Sequence, residues 1–251
     1  MEQRNFKFAV FSGNVLKILA AIFMVIDHSG LMLFGDMSIM RIIGRLSFPI
    51  FAFMIAEGCK HTKNKVKYFS LVFICGVLFQ IVFYVVEKSL EMSIFITFST
   101  SILMIYALQD FKKQLFGKNG WYSILSSFAI FAFSVAFTYL LNQELSINYK
   151  FWGCMLPVFA ALLHADEKDE NQKFLQNIDY VPVNVLTMTI GLVISAFALE
   201  GVAETTQFYS LLAVPLLLLY SGKRGKYKMK YFFYLFYPIH LVVIYSIAYL
   251  I

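Results

Sequence analysis

Three ionisable side chains, Lys17, Asp27 and His28, lie within one apolar stretch that is long enough to cross a bilayer, residues 16–34. An ionisable group inside a membrane span is costly, which favours a functional role for it. Lys17 and His28 are eleven residues apart, or three helical turns plus about 20°, so their side chains share one face of a helix. Asp27 points about 100° away from His28. The two cannot pair with each other, so each needs a partner on another helix.

Two further apolar stretches carry polar side chains at helical spacing. Arg41 and Arg45 open the second stretch and, four residues apart, share a helix face. Pro49 has no N–H, so the carbonyl of Arg45 loses its helical partner and the helix is expected to bend there. In the last apolar stretch, Tyr237 and His240 belong to a polar stripe with a step of three residues.

Helical rise brings these groups to comparable depths. At about 1.5 Å per residue, His28 and His240 each lie about 15 Å inside the basic end of their helix, and Arg45 lies roughly 6 Å in from the opposite face. We therefore expect the three side chains to converge near the middle of the membrane.

Glu57 and His61, near the other end of the second stretch, are also four residues apart and share a helix face. Such a pair can contribute to a metal site. Apart from Cys59, which lies between them, no further histidine, cysteine or carboxylate lies nearby in the sequence, so we expect a polar pair at a helix end and no metal.

The residue types suit two kinds of chemistry. A histidine has an unperturbed pKa of about 6.5, close to the pH at which a general base works best, and arginine can hold an anionic donor such as a phosphorylated cofactor. Transfer of an acyl group from a thioester fits this set. Intramembrane His, Asp and Arg also form proton relays and substrate sites in transporters. Composition and spacing alone do not separate the two.

The composition indicates an integral membrane protein. Of 251 residues, 60% are hydrophobic and 14% are charged, against roughly 25% charged in an average soluble domain, and the mean hydropathy is +0.71. The net charge of +6 is explained by the lysine and arginine excess of cytoplasmic loops. We expect membrane lipids as partners and no nucleic acid.

The hydropathy pattern predicts an all-α polytopic membrane protein that forms a single integral membrane domain over residues 1–251. About nine spans, with eight to ten possible, are expected at residues 16–34, 41–59, 68–86, 93–109, 122–141, 151–164, 183–199, 208–220 and 231–250. A cytoplasmic N-terminus places all but four of the 21 lysine and arginine residues on the inner side, as the positive-inside rule requires. The expected location is the bacterial cytoplasmic (inner) membrane.

Four segments resemble the TraX family of integral membrane proteins. The run RIIGRLSFPIFAFMIAEGCKHTKNKVKYF, residues 41–69, resembles the core signature of the family. LKILAAIFMVIDHSG is similar to its first helix, FYLFYPIHL to its last, and INYKFWGCMLP to its middle motif. The resemblance covers nearly the whole chain.

The resemblance implies acyl transfer. The founding TraX protein is associated with N-terminal acetylation of a conjugative pilin. The family is grouped with the wider acyltransferase-3 superfamily, in which a basic residue precedes a catalytic histidine by a ten-residue gap. Lys17 and His28 have this spacing. The implied donor is acetyl-CoA, offered from the cytoplasm, and the acceptor is a hydroxyl or amine of an envelope glycan, lipid or exported peptide.

The site residues follow from the resemblance and the polar pattern together. His28 is the candidate general base, with Asp27 beside it in the catalytic site. The groups expected to bind the acetyl-CoA donor or position the acceptor are Lys17, Arg41 and Arg45. The residues expected to contact the substrate or support the site are Glu57, Tyr237 and His240.

Two alternatives remain open from the sequence. A secondary transporter would use His28, Asp27 and Arg45 as a substrate or proton path. Transporters often have two related halves, however, and the segments IDH, FPIFAF and YPIH are not repeated in this sequence. A non-catalytic assembly factor of a conjugation or secretion system would have no reason to bury His28.

Overall fold

The computed structural model describes residues 9–35, 38–87, 91–117, 119–199, 205–227 and 229–250. These residues are overwhelmingly helical and contain no strand. The α-helices are α1 (Gly13–Met32), α2 (Ser38–Gly44), α3 (Ser47–His61), α4 (Lys65–Glu87), α5 (Ile94–Phe116), α6 (Trp121–Glu144), α7 (Lys150–Ala161), α8 (Lys173–Ile178), α9 (Val181–Leu199), α10 (Ala213–Leu218) and α11 (Lys230–Leu250). Two 3-10 helices cover Glu170–Gln172 and Thr205–Leu212.

The all-helical membrane class is confirmed. By length and composition, six candidate spans are present in the described part of the chain: Gly13–Met32, Ile39–His61, Ile94–Phe116, Trp121–Glu144, Val181–Ala198 and Phe232–Leu250. The predicted span at 151–164 overlaps the 12-residue α7, and the one at 208–220 overlaps the second 3-10 helix and contains the six-residue α10. Both helices are short for a hydrocarbon core that takes about 20 helical residues. The count of nine and the cytoplasmic N-terminus stay predictions.

The second predicted span is interrupted near Arg45. Helix α2 ends at Gly44 and α3 begins at Ser47. The amide of Leu46 donates to the carbonyl of Ile43 at 3.3 Å, which is the tighter hydrogen bond of a 3-10 turn. Pro49 then falls in the first turn of α3, where its missing N–H costs little. The bend expected at Arg45 therefore takes the form of a turn between two helices.

The chain forms two compact units, Met1–Met54 with Leu192–Ile251, and Ile55–Gly191. They are called the first and the second unit below. A single domain over residues 1–251 stays a prediction.

In the first unit, α1 packs against α2 and α11. The hydroxyl of Ser47 donates to the carbonyl of Ala20 at 2.8 Å, which ties the start of α3 to the middle of α1. Leu16 and Phe53 are fully buried in the core. Gly44 lies directly against α1, because a Cβ on this glycine would overlap the side chain of Asp27.

In the second unit, α5 packs against α4, α6 and α7. Buried hydroxyls on α5 bond to the chain around α7. Ser101 donates to the carbonyl of Cys154 at 2.7 Å, and Thr97 donates to the carbonyl of Asn148 at 2.8 Å. Such bonds between helices satisfy polar groups that lipid cannot.

Candidate active site

The two histidines predicted to converge lie in contact. Nδ1 of His28 on α1 lies 2.8 Å from Nε2 of His240 on α11. The ring centroids are 5.0 Å apart and the ring planes are inclined by only 24°, so the two rings meet edge to edge and nearly in one plane, as an N–H···N hydrogen bond requires. His240 is buried and His28 is partly exposed. The prediction that His28 must find its partner on another helix is confirmed.

The hydrogen bonds of His240 set the tautomers of the neutral pair. Nδ1 of His240 lies 2.9 Å from the carbonyl oxygen of Phe236, and a carbonyl can only accept, so this nitrogen carries the proton. Nε2 of a neutral His240 then has a lone pair, and it accepts from the Nδ1–H of His28. The Nε2 of His28 is consequently left without a proton, as a general base requires. No described residue hydrogen-bonds to that atom.

Asp27 is held by an arginine of α2. Nη1 of Arg41 lies 2.8 Å from Oδ2 of Asp27, and both side chains are mostly buried, with 17% and 15% exposed. Gly44 permits this pair, because any side chain at this position of α2 would overlap the side chain of Asp27. Asp27 therefore has the partner on another helix that was predicted for it.

The other predicted residues of the first unit take different positions. The ammonium of Lys17 lies 5.9 Å from the centroid of the Phe233 ring of α11, and it is about 16 Å along the helix axis from His28. The Tyr237 ring packs edge-on against His240, with centroids 5.5 Å apart. Arg45 lies in the turn between α2 and α3, and its buried Nε has no hydrogen-bond partner in the described chain. Convergence of Arg45 with the histidines stays a prediction.

Two contributors to the site were missed by sequence reasoning. The Phe236 carbonyl orients His240, and Gly44 allows α2 to approach Asp27. The signal for Phe236 was its position four residues before His240, where its carbonyl faces the histidine on a helix. Gly44 gave a weaker signal, since a glycine within a predicted helix often marks close packing.

A second ionisable cluster lies in the second unit. The Glu57 carboxylate lies between two imidazoles, 3.4 Å from Nε2 of His61 and 3.3 Å from Nε2 of His164. The polar pair predicted for Glu57 and His61 is confirmed, whereas His164 was not singled out. Burial lowers the pKa of His164, and the nearby Glu57 carboxylate offsets this only in part. In the described residues, no group of three histidine, cysteine, aspartate or glutamate side chains is arranged to hold a metal ion.

Two lysines lie near this cluster. Nζ of Lys60 lies 2.8 Å from Oδ2 of Asp179. Burial raises the pKa of Asp179. The nearby His164 and Lys60 together lower this pKa by more, so the net shift is downward. The buried Lys112 donates to the carbonyls of Ala161, Leu162 and His164 at 3.0, 3.2 and 2.6 Å. Lys112 thus binds carbonyls at the end of α7, where helical partners run out.

Together, the fold and the site define an all-helical, multi-pass membrane protein with a hydrogen-bonded histidine pair in its candidate spanning helices. The chain belongs to the TraX family, because the family model described as "TraX protein" matches residues 12–248. It is 26% identical over 263 residues to the "Probable fimbrial assembly protein FimC, serogroup H1" of Dichelobacter nodosus, covering 97% of both chains. It is also 26% identical over 201 residues to an uncharacterized protein of Rickettsia prowazekii (strain Madrid E), covering 71% of this chain and 78% of that protein. No solved structure matches.

Proposed function

We propose that this protein is a membrane-embedded acetyltransferase that moves an acetyl group from acetyl-CoA to a hydroxyl or amine of an envelope glycan, lipid or exported peptide. The observation that carries the proposal is the Phe236–His240–His28 chain of hydrogen bonds. It leaves a lone pair on Nε2 of a partly exposed His28, which is the atom that a general base needs.

In the proposed reaction, Nε2 of His28 removes the proton from the acceptor O–H or N–H. The acceptor forms a bond to the thioester carbonyl carbon, and the carbon–sulfur bond breaks. The departing thiolate takes the proton back from His28. Throughout, the Nδ1–H of His28 continues to donate to His240, so the imidazolium formed in the middle of the cycle keeps a hydrogen-bonded partner.

The other predicted residues have supporting roles in this proposal. The Asp27–Arg41 pair holds α1 against α2 and so positions His28. Lys17 and Arg45 supply positive charge for the acetyl-CoA phosphates or for an anionic acceptor. The Lys17-to-His28 spacing, which resembles that of the acyltransferase-3 superfamily, supports the assignment of His28 as the base.

A second candidate function is suggested by the name of a relative. The Dichelobacter nodosus protein is named a probable fimbrial assembly protein. A non-catalytic assembly factor would tolerate loss of His28, because such a role does not use the lone pair on Nε2.

Transfer of labelled acetyl from acetyl-CoA in membranes tests the proposal. Membranes containing wild type, His28→Gln or Cys75→Ala are incubated with label and separated into glycan, lipid and peptide fractions. We expect label in one fraction with wild type and Cys75→Ala, and a loss of about 10²-fold or more with His28→Gln. Equal transfer by a folded His28→Gln protein would exclude His28 as the base. Transfer no higher than in empty membranes would favour the assembly factor.

A further inference from the structure

A short basic loop, residues 222–227 with the sequence GKRGKY, is fastened to the start of α1. The amide of Gly13 donates to the carbonyl of Lys223 at 2.8 Å, and the amide of Asn14 donates to the carbonyl of Arg224 at 3.0 Å. The Asn14 side chain donates to the carbonyl of Tyr227 at 2.6 Å. These bonds join the loop to α1, and two of them satisfy the first N–H groups of that helix.

In contrast to these carbonyls, the backbone N–H groups of the loop remain available. None of the backbone N–H groups of residues 222–226 donates to another residue in the described chain. The side chains of Lys223, Arg224 and Lys226 are exposed. A loop with three bonded carbonyls, unbonded amides and three exposed cations is suited to bind an anion, because backbone amides in such turns form anion-binding concavities.

Two glycines make this backbone possible. Gly222 and Gly225 have φ angles of 70° and 101°, in the left-handed region that side chains disfavour. A Cβ on Gly225 would also lie 2.8 Å from Oγ of Ser12 and 3.1 Å from Nδ2 of Asn14. The backbone conformation of the loop therefore depends on its glycines, and a glycine substitution can alter that conformation without changing the charge of the loop.

We propose that the basic loop is a binding site for phosphate groups at the membrane surface. The loop is hydrogen-bonded to the start of α1 at Gly13 and Asn14, and α11 begins at Lys230, three residues after the loop. The loop therefore lies at the level where both candidate spans begin. The Tyr227 side chain, 68% exposed, is of the kind enriched at membrane interfaces. The phosphate can come from an anionic lipid headgroup or from a soluble phosphate ester. This inference does not depend on the acetyltransferase proposal.

Native mass spectrometry of the full chain in detergent tests the site, with three probes: phosphatidylglycerol, zwitterionic phosphatidylcholine and pyrophosphate. The triple variant K223Q/R224Q/K226Q removes the three cations. Its matched control, K63Q/K67Q/K168Q, removes the same charge from three lysines that are exposed in the second unit. We expect about tenfold weaker binding of phosphatidylglycerol or pyrophosphate by the loop variant only. Loss with phosphatidylglycerol alone identifies a lipid site, and loss with pyrophosphate identifies a site for soluble phosphates.

Gly225→Ala separates a built site from general charge attraction, because it keeps every cation but strains the loop. We expect it to weaken binding of the same probe while the control triple binds like wild type. The proposal is overturned if neither anionic probe prefers wild type over the loop triple, if both triples lose binding equally, or if a folded Gly225→Ala protein binds like wild type. Should Gly225→Ala fail to fold, the comparison of the two triples decides.

Discussion

Nδ1 of His28 and Nε2 of His240 lie 2.8 Å apart although 212 residues separate them in the chain. The contact joins α1 to α11, and it is continued by the hydrogen bond from His240 to the Phe236 carbonyl. The carbonyl can only accept, so in the neutral histidine pair the protons lie on Nδ1 of His240 and on Nδ1 of His28. Nε2 of His28 then carries none. In the proposed mechanism His240 is thus a positioning residue for His28, and substitutions of His240 test this role.

Replacing His240 is expected to lower turnover while leaving affinity for acetyl-CoA nearly unchanged. His240→Leu removes the acceptor for the Nδ1–H of His28, whereas the side-chain oxygen of His240→Gln can still accept. We expect turnover to fall by about 10²-fold in the leucine variant, near the lower end of a base contribution, and by less in the glutamine variant. Steady-state kcat and KM for both variants provide the measurement. Equal loss in the two, or a loss confined to KM, would contradict the positioning role.

Gly44→Ala is expected to destabilise the protein, because the new methyl group would overlap the Asp27 side chain. Overpacking of this kind typically costs about 1–3 kcal/mol. Thermal unfolding in detergent measures the effect. Gly120→Ala is the matched control, since a Cβ on Gly120 has no neighbour within 4 Å and its φ of −67° suits alanine. A Gly44→Ala protein with the unfolding temperature of wild type would show that α2 does not pack against Asp27 in this way.

Lys112→Met is expected to lower the free energy of unfolding by roughly 1–3 kcal/mol, the cost of leaving buried polar groups without partners. Its ammonium donates to three carbonyls at the end of α7, and methionine keeps the length of the side chain but no donor. Lys113→Met provides the control, because the adjacent lysine is exposed. Similar unfolding temperatures for the two variants would contradict a capping role for Lys112.

Stability is expected to decline as the pH falls below about 6.5, the unperturbed histidine pKa. Burial lowers the pKa of His164 in the folded protein, so between the two pKa values the unfolded chain binds a proton that the folded one does not. The free energy of unfolding then falls by up to about 1.4 kcal/mol per pH unit for this one group. Unfolding temperatures measured in detergent from pH 8 to pH 5.5 check the sign. The slope should be smaller in His164→Gln, and an unchanged slope would exclude His164 as the titrating group.

The sequence alone determined the class of the protein and which residues needed partners. Long apolar stretches specify spanning helices because lipid offers backbone groups no hydrogen bonds. Helical periodicity placed Asp27 and His28 on different faces and paired Glu57 with His61, since angles within one helix depend only on spacing. A bend near Arg45 was also predicted, from Pro49.

Only the tertiary structure decided which partners those residues find. Three contacts depend on how separate helices pack together: the Asp27–Arg41 ion pair, the His28–His240 hydrogen bond, and the bonds from Lys112 to carbonyls at the end of α7. Spacing within a helix gives the direction of a side chain from its own axis, and it contains no information about the register of a neighbouring helix. The lengths of the shorter helices were likewise undetermined, because an apolar run of fewer than about 18 residues is compatible with a buried helix as well as a span.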